Sequence, residues 1–163
     1  RDCLLSRGLG DVYKRQFHTL VKPFDYFTET NINVHGIHPE DVQDAPGFKH
    51  VYPYMLKFID QLPVVAHNAA FDMNVLHQSL KSHNIDTPSL TYFCSYQLAK
   101  RTINAYRYGL KHLMNHYHLD FHGHHDALND AKACAMITYR LLKHYDDLQS
   151  MLSIYGKNLK DKG

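Results

Sequence analysis

Two short stretches concentrate the side chains of this chain that could do chemistry. Ala66-His67-Asn68-Ala69-Ala70-Phe71-Asp72 and His125-Asp126-Ala127-Leu128-Asn129-Asp130-Ala131 each set an aspartate in the first turn of a predicted helix, and a histidine just precedes the second. Hard divalent cations such as Mg²⁺ or Mn²⁺ prefer carboxylate oxygens, so Asp72 and Asp130 are candidate metal ligands. A histidine titrating near about pH 6.5 can take a proton from water at neutral pH, so His125 is the candidate catalytic base. Asp126 has a plainer reading as a helix N-cap that satisfies free backbone donors and complements the helix dipole.

The elements that must position these groups follow from periodicity. FHTLVKP, from Phe17, alternates and reads as a strand stopped by Pro23. Residues 24–46, with Gly36, Pro39 and Pro46, read as an ordered loop with at most short helical turns. Val51, Tyr54, Met55, Phe58, Ile59 and Leu62 recur at helical spacing over 47–62, and Val64-Val65-Ala66 looks like a buried strand. A helix over 70–83 is expected to turn Phe71, Val75, Leu76 and Leu80 inward. Residues 90–94 form another strand, a helix runs on through Leu98, and a loop occupies 102–108. Leu110, Leu113, Met114 and Tyr117 mark a short amphipathic helix. A final long helix over 126–145 should face Ala127, Ala131, Cys134, Thr138 and Leu141 inward, and the lysine-rich tail from Gly156 should fray. This order implies an α/β layered domain with at least partly parallel strands, whose strand-end junctions carry both motifs.

At 163 residues the chain suits one domain with a core of its own. Residues 1–16 hold no sustained period and read as a non-native or artefactual segment. The domain then covers 17–150, and 151–163 is a C-terminal tail. Three widely spaced cysteines argue against a disulfide framework and a thiolate zinc site, and point to a reducing, cytoplasmic setting. No apolar run reaches membrane-spanning length, so no membrane partner is expected. The formal charge of +2 is too small to name a nucleic-acid partner. Six of the 14 histidines crowd residues 112–125, where solvated side chains explain them better than a metal cluster.

From about Phe17 to Leu142 the chain resembles the DnaQ-like 3′-to-5′ exonucleases of the DEDDh group, which have a ribonuclease H-like fold. Asn68, Phe71 and Asp72 match that family's second motif, and His125, Ala127, Asp130 and Ala131 its third. Asn33-Val34-His35-Gly36-Ile37, with Val42 and Asp44-Ala45-Pro46, looks like its substrate-side loop, and Cys94 through Arg101 resembles the stretch after its last strand. The resemblance implies a three-layer domain with a mixed sheet, and phosphodiester hydrolysis with two divalent ions about 3.5 to 4 Å apart. It assigns Asp72 and Asp130 to metal, His125 to proton transfer, and Asn68, His35, Gly36 and Phe71 to substrate. The implied substrate is a nucleic-acid 3′ end, single-stranded DNA first and RNA second, in a proofreading or repair role with a DNA polymerase as partner, as in the polymerase III epsilon-like branch. Arg101 could meet a phosphate, and Tyr92, Tyr96, Tyr106 and Tyr108 could stack on bases, although packing explains most tyrosines.

The family's first motif, Asp-x-Glu on a central strand, has no counterpart in the sequence. The first strand is therefore expected to be missing or replaced, with residues 2–5 or 11–16 as weak substitutes. The sheet is expected to expose an edge. Two carboxylates give about −2 against the +4 of two dications, so little nuclease activity is expected. The alternatives are an exoribonuclease of the same fold, a non-catalytic nucleic-acid-binding fragment, and an unrelated α/β interaction domain.

Overall fold

The computed structural model describes residues 15–24, 27–120 and 126–162. Strand β1 (Val64–Ala66) pairs in parallel with β2 (Thr91–Cys94), Val65 opposite Phe93. Strand β3 (Lys157–Asn158) pairs antiparallel on the other side of β2, giving a mixed sheet in the order β1-β2-β3. A parallel pair needs a crossover rather than a hairpin, and helix α3 (Ala69–Ser82) supplies it.

Successive residues of a strand point to opposite faces, and each face of β2 seeds a core. Tyr92 packs with Tyr52 of helix α2 (Phe48–Ile59), with Ala69, Met73 and Leu80 of α3, and with Leu90 and Leu159. On the opposite face, Phe93 packs with four further helices. These are α4 (Ser95–Thr102), α5 (Leu110–His116), α6 (Ala127–Leu142) and α7 (Leu148–Tyr155). Leu98, Leu113, Met114, Ile137, Leu141 and Met151 are their fully buried contributions. Helices thus cover both faces of a small mixed sheet, the three-layer α/β arrangement that the resemblance implied.

Several expectations are corrected. Residues 17–21 form no strand; the segment is held by a lone parallel bridge of Lys22 to Gly47, with Lys22 N–H donating to the Pro46 carbonyl at 3.0 Å. Alternation makes a strand only when a neighbour supplies a ladder, and here a loop is the neighbour. Within 24–46 a two-turn helix α1 (Glu29–His35) forms, capped by Thr28 and ended by left-handed Gly36. Helix α2 stops at Ile59 because Asp60 and Gln61 both take positive φ, which leaves Leu62 exposed; Tyr54 is exposed as well.

On α3 the inward stripe is Ala69, Met73 and Leu80 with Leu76, while Phe71 and Val75 are 69% and 50% exposed. Ala127 and Ala131 are likewise exposed, and α6 buries Ala133, Cys134, Ile137, Thr138 and Leu141. β1 is only half-buried, since no strand pairs with its outer edge among the described residues.

The tail is docked, not frayed. Leu159 N–H donates to the Leu90 carbonyl at 2.9 Å, Asn158 Nδ2 donates to Ser89 Oγ at 3.0 Å, and the Leu159 side chain is fully buried. The substitutes expected at 2–5 and 11–14 lie outside the described residues, and no helix among those described is long and apolar enough to cross a membrane.

Candidate active site

The site is built at the C-terminal end of β1. Only two residues separate Ala66 from helix α3, so the chain must turn sharply, and Asn68 does this with φ 69° and ψ 45°. Asparagine tolerates this left-handed region better than most residues. Its carbonyl accepts the Phe71 N–H at 3.0 Å, and its exposed side chain makes no capping bond. The turn sets Asp72 in the first turn of α3.

Asp72 keeps solvent contact, yet burial of its surroundings pushes its carboxyl pKa up, opposed by its own backbone N–H. A native pKa above the unfolded value means that the folded state resists ionisation of this group. Its ionisation therefore costs stability at neutral pH, and that cost disappears as pH falls through the carboxylate range. Asp72→Asn should accordingly raise the melting temperature at pH 7, and the gain should vanish at acid pH, where the wild-type carboxyl is also neutral. Melting curves at the two pH values check this; an equal gain at both would contradict it.

Asp126 caps α6, its Oδ1 accepting the Asn129 N–H at 2.8 Å. Asp130 follows in the first turn, its N–H donating to the Asp126 carbonyl at 2.9 Å. The Oδ1 of Asp130 is buried and has no hydrogen-bond partner. A buried, unpaired carboxylate oxygen is costly unless a cation or donor meets it.

The Asp130 charge acts on the imidazole of His67, directly after β1, and the Asp72 charge acts on the thiol of Cys134, one turn beyond Asp130. Helix α6, which bears Asp130, packs against β1, and Asp72 lies in the first turn of the helix that follows β1. Among the described residues no group of three or more His, Cys, Asp or Glu could hold a metal ion. The orphaned oxygen of Asp130 is a group that a cation or a hydrogen-bond donor would satisfy. His125 lies outside the described residues.

A part-buried polar chain starts at His67, directly after β1. His67 Nε2 lies 3.0 Å from the Tyr108 carbonyl, and Nδ1 lies 2.9 Å from Ser95 Oγ. A carbonyl can only accept, so Nε2 carries hydrogen. Burial, the largest influence on His67, lowers its pKa; the neutral ring then accepts from the Ser95 hydroxyl at Nδ1. Ser95 Oγ in turn lies 3.4 Å from Cys134 Sγ, which can donate to it, and burial pushes the Cys134 thiol up to about 11. His67 thereby ties the end of β1 to the start of α4 and to the loop before α5. Its position beside Asn68 was a signal that sequence reasoning passed over.

The other predicted substrate residues are dispersed. Phe71 stands exposed one residue from Asp72. His35 and Gly36 end the surface helix α1, where His35 Nδ1 accepts the Ile37 N–H at 3.0 Å and the ring meets Phe27 edge-on. No described contact joins them to Asp72 or Asp130.

The exonuclease family RNase_T matches residues 6–138. The DNA polymerase III subunit epsilon of Buchnera aphidicola subsp. Baizongia pistaciae is 28% identical over 151 residues, covering 87% of this chain and 59% of that protein. A PolC-type DNA polymerase III of Thermotoga petrophila is 27% identical over 146 residues, covering 90% of this chain and 11% of that protein. The chain thus spans less than two thirds of these relatives. Among solved structures, Exonuclease X in complex with 5′ overhanging duplex DNA superposes with a TM-score of 0.68 at 23% identity, covering 83% of this chain and 78% of that one. Cell-death related nuclease 4 gives 0.65 at 21% identity, covering 78% and 49%.

Proposed function

The chain belongs to the RNase_T exonuclease family, and from that premise we propose that its site serves hydrolysis of phosphodiester bonds at the 3′ end of a nucleic-acid strand, single-stranded DNA before RNA. The observation that carries this reading is the buried, unpartnered Oδ1 of Asp130, on a helix packed against β1, with Asp72 in the first turn of the helix that follows β1. Mg²⁺ or Mn²⁺ bound there would supply a water acidic enough to attack at neutral pH and charge to steady the leaving oxygen. Asp130 and Asp72 would hold the cation. His125, one residue ahead of the cap of α6, would accept the proton of the attacking water. Exposed Phe71 offers a face for the terminal sugar or base, and Asn68, His35 and Gly36 are proposed as further substrate contacts. The DNA in the Exonuclease X complex and the polymerase III relatives support nucleic acid as substrate and a polymerase as partner.

The 163 residues contain no Asp-x-Glu, so this chain should hold one ion rather than two and cut slowly. Mn²⁺ titration should show about one ion per chain and a raised melting temperature, both lost in Asp130→Asn. Digestion of 5′-labelled DNA and RNA should run at least about a hundredfold below the typical turnover of about 10 s⁻¹. Failure of Mn²⁺ to bind would remove the metal site, and turnover in the ordinary range would refute the predicted weakness.

A further inference from the structure

Charge is unevenly spread along this nearly balanced chain. Residues 87–119 contain Lys100, Arg101, Arg107 and Lys111 and no acidic residue, and all four cations are exposed. The loop between α4 and α5 carries Tyr106 at 92% exposure, with the Arg107 guanidinium 5.4 Å from its ring centroid. An exposed tyrosine on a slack loop would mean little. This loop is braced from within: the Tyr108 hydroxyl donates to the Ile103 carbonyl at 3.2 Å and lies 3.3 Å from the Ala105 N–H, which it accepts. The Tyr108 carbonyl takes the His67 Nε2–H, so the brace is fixed to the strand end that carries the candidate active site. The Tyr108 ring also meets Tyr96 edge-on at 6.3 Å, and the Lys100 ammonium stands 5.7 Å from the Tyr96 ring. Two cation–aromatic units therefore sit on one frame tied to the residue that follows β1.

We propose that this face grips single-stranded DNA leading to the site, with a base stacked on Tyr106 and phosphates paired by Arg107 and Lys100. The inference rests on the proposed function for the nature of the strand. Aromatic faces accept any base, and guanidinium forks match phosphate oxygens. A site built of carboxylates repels a polyanion, so an adjoining acid-free surface supplies the attraction that the site itself lacks.

The test is fluorescence anisotropy with the full chain, a fluorescein-labelled oligo-dT of about twelve nucleotides and EDTA, at about 50 mM salt. Tyr106→Ala should weaken binding about tenfold, whereas Tyr106→Phe, which keeps the ring, should stay within about twofold. Arg107→Ala should weaken binding and lower the salt slope by about 0.7. Lys57→Ala, on α2, should bind as wild type, and a blunt duplex of equal length should bind more weakly than the single strand. Both target side chains are exposed, so their loss leaves the cores intact. Absence of wild-type binding, an unchanged Tyr106→Ala, or a Tyr106→Phe as weak as the alanine variant would overturn the proposal. EDTA separates it from the metal reading: Mn²⁺ binding can fail while Tyr106-dependent binding persists. Conversely, intact Mn²⁺ binding with an unchanged Tyr106→Ala would sink only this inference.

Discussion

Leu159→Ala should destabilise the protein by about 2–5 kcal/mol, the cost of emptying a fully buried leucine site. For a chain of this length each kcal/mol lowers the melting temperature by roughly 2–4 °C. Leu159 closes the core between β2, α2 and α3, touching the cluster of Tyr52, Met73, Leu80, Leu90 and Tyr92. Its backbone is pinned to Leu90, and Asn158 secures the approach through Ser89 and through its Oδ1, which accepts the Lys160 N–H at 3.0 Å. Thermal or urea unfolding followed by far-UV circular dichroism reads the effect, with Lys160→Ala as an exposed control. A frayed tail would give a change within about 0.5 kcal/mol, and that outcome would refute the docked arrangement. Helix α3, which bears the proposed metal ligand Asp72, rests on this core.

His67→Ala should cost about 1–3 kcal/mol, the cost of an unpaired buried group, since it strips the partner from the Tyr108 carbonyl, whereas fully buried Ser95 keeps the Ala66 carbonyl and Cys134 Sγ, each at 3.4 Å. Backbone amides of residues 103–109 should exchange faster, because the loop loses its tie to β1. The loss is pH-dependent in a stated direction. Burial holds the His67 pKa below its ordinary value, so below about pH 6.5 the unfolded chain takes up a proton that the folded imidazole refuses. The neutral ring's contribution is complete above that pH and declines as pH falls through the native pKa. The gap in melting temperature between wild type and His67→Ala should therefore narrow from about pH 7.5 to about pH 5. A gap that widens on acidification would mean that the imidazole is protonated in the native fold.

Much of the fold is legible from local pattern. Helices α2, α3, α5 and α6 and strands β1 and β2 follow from periodicity and from the residues that bound them, because these are properties of neighbouring side chains. Phase is harder than period. On α3, Phe71 and Val75 keep helical spacing as well as Ala69, Met73, Leu76 and Leu80 do, and only the position of the sheet decides which stripe is covered. Phe17 to Val21 alternates like a strand, but a strand exists by virtue of a partner, and the segment meets a loop. The lysine-rich end looks solvated, yet one leucine within it fits a hole left by three distant elements.

The site divides along the same line. Sequence alone determined that two aspartates occupy the first turns of two helices, since capping and short-range spacing are local matters. The tertiary structure decided that Asp130 Oδ1 is buried without a partner and that the helix bearing it packs against β1. It also decided that His67, 28 residues from Ser95 and 41 from Tyr108, holds the surrounding loops in place. Burial and hydrogen-bond partnership depend on what the rest of the chain brings alongside, and no local pattern encodes contacts across such separations.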